Sequence, residues 1–247
     1  HSTVQDSMRS SLNEFIERQA LVGSWLGSSG VKQYDSNILL TLPKLKRLAE
    51  QLTQNGDVSI FDISNSLPGY TIVMCYFSKS KKDKVQYVIG VASSGDLIES
   101  LTSALTELWQ DYIYIYCYDI DSEKMQDISS VLMFAGDSYH MNHFQDNTPQ
   151  TKNRIHYFNT ATHTKLIASG NKQYNHQKLL EGINKISPNV FVYQQKDLNA
   201  EFYYTRVISP DFYLHMSIHE PLNFKNRYSK SLAVSTTAKN QERIPFP

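Results

Sequence analysis

Tyr70-Thr-Ile-Val-Met-Cys-Tyr-Phe77 and Val85-Gln-Tyr-Val-Ile-Gly-Val91, joined by the polar stretch Ser78–Asp83, decide the architecture. Both runs are rich in β-branched and aromatic residues, and a short polar link between two such runs reads as an antiparallel hairpin. A third β-rich run, Val58–Ser64, precedes them, and Gly95-Asp96 opens a long helix after them. Ile98, Leu101, Ala104, Leu105, Leu108 and Tyr112 fall on one face of that helix, which leaves Ser103, Glu107 and Gln110 together on the other. Antiparallel strands beside long amphipathic helices define an α+β chain with mixed or antiparallel sheets.

Working outward, Asp6 is the expected N-cap of a helix that runs to about Leu26, with Leu12, Phe15, Ile16, Val22 and Leu26 on one side. Gly27 to Gly30 ends it. A second helix, Leu45 to Gln54, follows Pro43 and stops at Asn55-Gly56 in the manner of a C-cap. From Asp121 to Tyr174 the chain is polar and weakly periodic, which predicts an irregular, lid-like insertion. A helix over Gln177–Ile186 and two strand-like runs, Val190–Tyr193 and Phe202–Met216, complete the reading. The chain is expected to be one domain over residues 1–247.

Composition narrows the function. The 247 residues are 40% hydrophobic and 12% aromatic, enough for a substantial core. Twenty-four basic residues balance 24 acidic ones, so no overall field favours nucleic acid or anionic lipid, and neither is expected as a partner. Two cysteines, Cys75 and Cys117, cannot form a zinc site or a disulfide framework, and both sit in apolar runs that read as reduced core. No stretch has the length of a membrane span and no signal peptide is visible, so a cytoplasmic location is expected. A chain that begins at His1 and runs almost directly into a helix is expected to continue upstream.

Several chemistries fall away. Gly90-Val-Ala-Ser-Ser-Gly95 has the outer glycines of a phosphate loop but carries Asp96 in place of the lysine, and reads as a glycine-bracketed strand-to-helix turn. His215-x-x-x-His219 lies in a strand-like run without the glutamate of a zinc-protease helix, and His140-x-x-His143 has no third ligand nearby. There is no Gly-x-Ser-x-Gly elbow, and thiols buried among aromatics are poor nucleophiles. Lys79, Lys81, Lys82 and Lys84 coincide with the hairpin turn and read as a solvated charge run.

What survives is a pair of polar helix faces with one spacing, Ser10-x-x-x-Glu14-x-x-Glu17-Arg18 and Ser103-x-x-x-Glu107-x-x-Gln110. Carboxylates three residues apart on a helix repel by about 0.2–0.5 kcal/mol, a cost that a cation removes. Such faces are ordinarily just wet. Magnesium, however, takes one or two carboxylates together with substrate phosphates, and Arg18 stands beside Glu14 and Glu17 to meet phosphate oxygens. The final Pro245-Phe246-Pro247 can neither continue a helix nor pair as a central strand.

These residues resemble the YcaO-domain family. Ser10-Ser-Leu-Asn-Glu14-Phe-Ile-Glu17-Arg18-Gln19-Ala20 is similar to its central nucleotide-binding motif, and Ala104-Leu-Thr-Glu107-Leu-Trp-Gln110 to its downstream Glu/Gln helix. Gly56-Asp-Val-Ser-Ile-Phe-Asp-Ile63, Val190-Phe-Val-Tyr193 and Tyr204-Thr-Arg-Val-Ile-Ser-Pro-Asp-Phe-Tyr-Leu-His-Met216 add likeness to the cyclodehydratase subunits of microcin-type synthetases. The chain departs from the pattern at Ser103 and Tyr112, where arginines are common, and at Arg243 in place of a further proline. Arg206 is a candidate replacement for the missing cations. The family's first carboxylate motif would lie upstream of His1.

The resemblance implies a YcaO-type α+β fold, here its C-terminal portion, and an ATP- and Mg2+-dependent backbone cyclisation. A Cys, Ser or Thr side chain of a precursor peptide attacks the preceding amide, the oxyanion takes the γ-phosphoryl of ATP, and loss of phosphate leaves a thiazoline or oxazoline. Carried over residue by residue, Glu14, Glu17 and Glu107 would bind metal. Ser10, Ser11, Glu14, Arg18, Glu107 and Gln110 would bind the nucleotide, and Pro245, Phe246 and Pro247 would help organise catalysis. The implied partners are the precursor peptide, a ubiquitin-activating-enzyme-like leader-binding subunit and a flavin-dependent dehydrogenase. A catalytically silent scaffold or peptide-binding module, and a relative that makes thioamides or amidines, are the alternatives.

Overall fold

The computed structural model describes residues 1–27, 30–117, 146–166, 173–197, 199, 201–214, 223–232 and 244. In chain order these form α1 (Val4–Gly27), β1 (Lys32–Tyr34), α2 (Ile38–Thr41), α3 (Pro43–Asn55), β2 (Gly56–Asp62), β3 (Tyr70–Ser78), β4 (Tyr87–Ser94) and α4 (Leu97–Cys117). Then come α5 (Thr151–Arg154), α6 (Tyr157–Thr160), β5 (Thr162–His163), α7 (His176–Ile186), β6 (Phe191–Lys196), β7 (Tyr203–Ile208) and α8 (Arg227–Ser231).

Five strands make one mixed sheet in the order β4-β3-β2-β1-β5. The expected hairpin is its antiparallel β3–β4 pair, in register from Tyr70 opposite Ser94 to Phe77 opposite Tyr87. Among the described strand pairs only β1–β5 is parallel. The alternation of β3 divides the core between the two faces: Val73, Cys75 and Phe77 pack with Leu12, Ile16 and Trp25 of α1, while Ile72, Met74 and Tyr76 pack under Leu45 and Leu52 of α3 and Leu101, Leu105 and Leu108 of α4. Helices therefore cover both faces, which is why residues 71–77 are apolar at nearly every position rather than at alternate ones. A second, two-stranded sheet, β6–β7, packs its β7 strand along α1.

Several sequence expectations need correction. Thr3, not Asp6, caps α1: its hydroxyl accepts the Asp6 N–H at 3.0 Å and donates to the Asp6 carboxylate at 2.7 Å. Gly56 is extended, with φ −154, and begins β2; a Cβ there would run into the Tyr76 ring, so packing and not a left-handed cap requires glycine. The stretch expected to be an irregular insertion contains core: Ile155 and Tyr157 are fully buried, and β5 extends the sheet. Short elements with few periodic positions (β1, α2, β5 and α8) were not legible. The run expected over Phe202–Met216 forms β7, which ends at Ile208, two residues before Pro210. Cys117 is exposed at the end of α4, while Cys75 is buried as expected. His140, His143, His215 and His219 lie outside the described residues. No described helix is long and apolar enough to cross a membrane.

Candidate active site

Among the described residues β4 is a sheet edge, so its N–H groups at alternate positions face away from β3 and need acceptors. Side chains supply them. Val91 donates to Glu107 Oε2 at 3.0 Å, Ile89 to Asp111 Oδ2 at 3.4 Å and Tyr87 to Asn147 Oδ1 at 3.1 Å. Ser93 donates its N–H to Glu17. Glutamates from two separate helices thus meet on neighbouring rungs of one strand edge.

The electrostatics follow from that meeting. Burial is the largest cause that raises the Glu17 carboxyl, and the nearby Glu107 charge raises it further. The Ser93 N–H and Arg18 pull the other way, and the result is about 8. At neutral pH Glu17 is therefore mostly protonated in the metal-free protein. Two carboxyl groups brought together in a partly buried place, one of them holding a proton that a cation would displace, fit a hard divalent ion. Among the described residues no group of three His, Cys, Asp or Glu is close enough to enclose a metal. The chain thus offers two converging carboxylates, a set that suits an ion whose other ligands are phosphate oxygens and water.

Ser10, Glu14 and Glu17 share one stripe of α1 by their spacing of four and three. Ser10 is half-buried. Glu14 is exposed and accepts from Arg18 Nε at 3.0 Å and Nη2 at 2.7 Å, an i,i+4 pair that holds the guanidinium at the surface beside Glu17. Ser11 is buried on the neighbouring stripe, where its hydroxyl accepts the Val207 N–H at 3.1 Å and anchors β7. Ser103 and Gln110 are exposed, so Glu107 parts from them and turns to the strand edge with Asp111. Pro245, Phe246 and Pro247 lie outside the described residues; Ile244, just before them, is buried in the α1-side core.

Two clefts flank the α1 stripe. One of about 390 Å³ runs between α1 and β7 and is lined by Glu14, Arg18, Gln19, Arg206 and Tyr213. Its floor is fixed by Gln19, whose amide bonds the Tyr213 backbone in both directions at 2.8 and 2.9 Å. Arg206 accordingly shares a cleft with Arg18. The other, about 570 Å³, is lined by Arg9, Asn13, Gly95, Asp96 and Lys178. At its edge the 90–95 loop is a strand-to-helix turn, as its sequence indicates. Asp96 accepts the Glu99 N–H at 2.9 Å and itself donates its N–H to Ser94 Oγ at 3.2 Å, so the first-turn donors serve local carboxylate and hydroxyl groups rather than an anion.

Sequence reasoning missed Asp111 and the role of the β4 edge. The signal was present: acids at 107 and 111, four apart on a helix, beside a strand whose outward N–H groups recur every second residue.

With this geometry in place, the family can be stated. The family model described as YcaO cyclodehydratase, ATP- and Mg2+-binding, matches residues 1–213, and the chain belongs to the YcaO family. Its relatives include the microcin B17-processing protein McbD of Escherichia coli, 27% identical in an alignment that covers all of this chain and 61% of that protein. Among solved structures, the E. coli microcin synthetase McbBCD complex matches with TM-score 0.80 at 25% identity, over all of this chain and 62% of the matched one. The same complex with pro-MccB17 bound matches with TM-score 0.77 at 24% identity, again over the whole chain and 61% of its counterpart. The chain spans about three-fifths of the length of these relatives.

Proposed function

We propose that this chain is the part of an ATP- and Mg2+-dependent cyclodehydratase that holds the metal and the nucleotide phosphates, in a protein that converts Cys, Ser or Thr of a ribosomal precursor peptide into thiazoline or oxazoline rings. The observation that carries the reading is the convergence of Glu17 and Glu107 at the end of β4. Membership of a family described as ATP- and Mg2+-binding, and likeness to a microcin B17-processing protein, support it.

In this reading Glu17 and Glu107 hold Mg2+, while Glu14, on the same stripe, keeps Arg18 in place through its ion pair. When bound, the ion neutralises the triphosphate charge that the chemistry moves. Arg18 reaches phosphate oxygens from its place beside Glu14, with Arg206 across the cleft as a second cation. Ser10, Ser11 and Gln110 are supporting polar groups of the nucleotide site, and Pro245, Phe246 and Pro247 organise the reacting peptide. The demand on the protein is positioning and charge neutralisation rather than nucleophilic catalysis. Cys75 suits that division of labour, since burial pushes its thiol well above the usual range. A precursor peptide, a ubiquitin-activating-enzyme-like leader-binding subunit and a flavin-dependent dehydrogenase are the proposed partners, in the cytoplasm.

Glu17→Gln in the full-length protein tests the assignment. It preserves shape and an acceptor oxygen but cannot be a charged ligand. The expected result is loss of ring formation, read as the disappearance of the one-water mass loss per ring in a co-expressed precursor. Unchanged ring formation would remove the enzyme reading and leave a scaffold or peptide-binding module.

A further inference from the structure

We propose that Asp111 is a positioning residue for the metal-phosphate site: it fastens α4 to the outer edge of β4 one turn beyond Glu107 and so aims Glu107 at Glu17. The proposal rests on the reading of Glu17 and Glu107 given above.

The repeats of helix and strand match. Four residues of helix advance about 6 Å, and two residues of strand advance about 6.6–6.8 Å. Acids at i and i+4 on a helix laid along a strand edge can therefore meet N–H groups at j and j−2. Here Glu107 takes Val91 and Asp111 takes Ile89, with α4 and β4 antiparallel. The next helical position toward the N-terminus is Ser103, which is exposed, and the next N–H, that of Ser93, goes to Glu17 instead. The ladder of carboxylates thus passes from α4 to α1 at the point where the two glutamates meet.

Depth and register are set by different residues. At Gly90 the backbone of α4 comes so close that a Cβ would strike the Ala104 carbonyl and the Leu108 N–H, so Gly90 fixes how near the helix lies. A glycine contact does not stop rotation or sliding. Asp111 does, through a carboxylate only 8% exposed that accepts the Ile89 N–H. Without it, the register of α4 on this edge would be left to Glu107, the group that must also turn an oxygen toward the ion. A rigidly placed neighbour lets Glu107 keep one oxygen on Val91 and offer the other to a bound ion.

The account predicts that Asp111 acts as an acceptor and not as a charge. In the full-length protein, Asp111→Ala is expected to weaken Mg·ATP binding, measured by calorimetry, about tenfold. In the metal-free protein it should also speed amide hydrogen exchange in the 87–94 segment. Asp111→Asn retains the acceptor oxygen and should restore both to near the wild-type values. Should the alanine variant fail to fold, Asp111→Ser, whose hydroxyl is too short to reach, takes its place against the same asparagine variant. The proposal is overturned if Asp111→Asn loses as much Mg·ATP affinity as Asp111→Ala, which would make Asp111 a charged ligand. It is also overturned if Asp111→Ala speeds exchange and leaves Mg·ATP affinity unchanged, which would make its role purely structural. Glu107→Gln, run alongside, reports on the underlying reading: if that variant binds Mg·ATP as the wild type does, the metal site itself is wrong, whatever Asp111 does.

Discussion

Glu17 of α1 and Glu107 of α4 sit on neighbouring rungs of the β4 edge, one accepting the Ser93 N–H and the other the Val91 N–H, so that each carboxylate lies in the field of the other. Two acids from distant parts of the chain are brought together by a strand that needed acceptors in any case. Two of the edge caps are thus also the candidate metal ligands.

This relationship makes stability depend on pH. The Glu17 carboxyl is raised from 4.5 to about 8 in the folded protein, so between those values the native state holds a proton that the unfolded chain has released. Stability from this group is full below about pH 4.5 and is lost as pH rises through 8. Denaturant unfolding of the metal-free protein should show a decline across that window, and Glu17→Gln should flatten it. Allowing for screening, the variant should exceed the wild type by about 2 kcal/mol at pH 8. Equal pH slopes in the two proteins would count against the convergence.

Arg18 separates stability from binding. Its pair with Glu14 is exposed and of the i,i+4 type, worth only about 0.3–0.5 kcal/mol. Arg18→Ala should therefore leave the unfolding midpoint nearly unchanged while it weakens Mg·ATP binding by roughly ten- to a hundredfold, in line with the loss of about 1.5–3 kcal/mol for a hydrogen bond to a charged group. A large shift of the midpoint with unchanged nucleotide affinity would reverse the assignment.

Gly90→Ala tests the approach of α4. The added methyl would meet the main chain of Ala104 and Leu108 rather than a side chain that can swing away. Overpacking of this kind costs about 1–3 kcal/mol, which thermal and denaturant unfolding would detect. A neutral substitution would mean that α4 lies farther from β4 than described.

Gln19→Leu removes the floor of the α1–β7 cleft. Its buried amide satisfies both the N–H and the carbonyl of Tyr213, and an apolar replacement strands two buried backbone groups. The expected cost is about 2–4 kcal/mol, measured by equilibrium unfolding.

Much of this was legible in the sequence. The β3–β4 hairpin showed itself because buried strands write long β-branched and aromatic runs, and α1, α3, α4 and α7 because each keeps a helical apolar stripe. The acidic pair was legible only in part. Spacing put Glu107 with Ser103 and Gln110 on an outer face, whereas the structure turns it to the strand edge with Asp111. A helical wheel assumes one buried stripe, and α4 has two sets of contacts: Leu101, Leu105 and Leu108 in the core, and Glu107 with Asp111 along β4. The cap on α1 was misplaced by one turn because Thr3 and Asp6 bond to each other and either reads as a cap. The segment expected to be an irregular or lid-like insertion holds Ile155 and Tyr157 in the core, too few apolar residues for a period to emerge.

Proton release on binding preformed Mg·ATP, measured by calorimetry of the full-length protein in two buffers of different ionisation heat, tests the central claim most directly. If a cation replaces the proton that burial and Glu107 place on Glu17, the wild type should release about one proton at pH 7 and Glu17→Gln none. Binding without proton release in the wild type, or equal release by the variant, would contradict it.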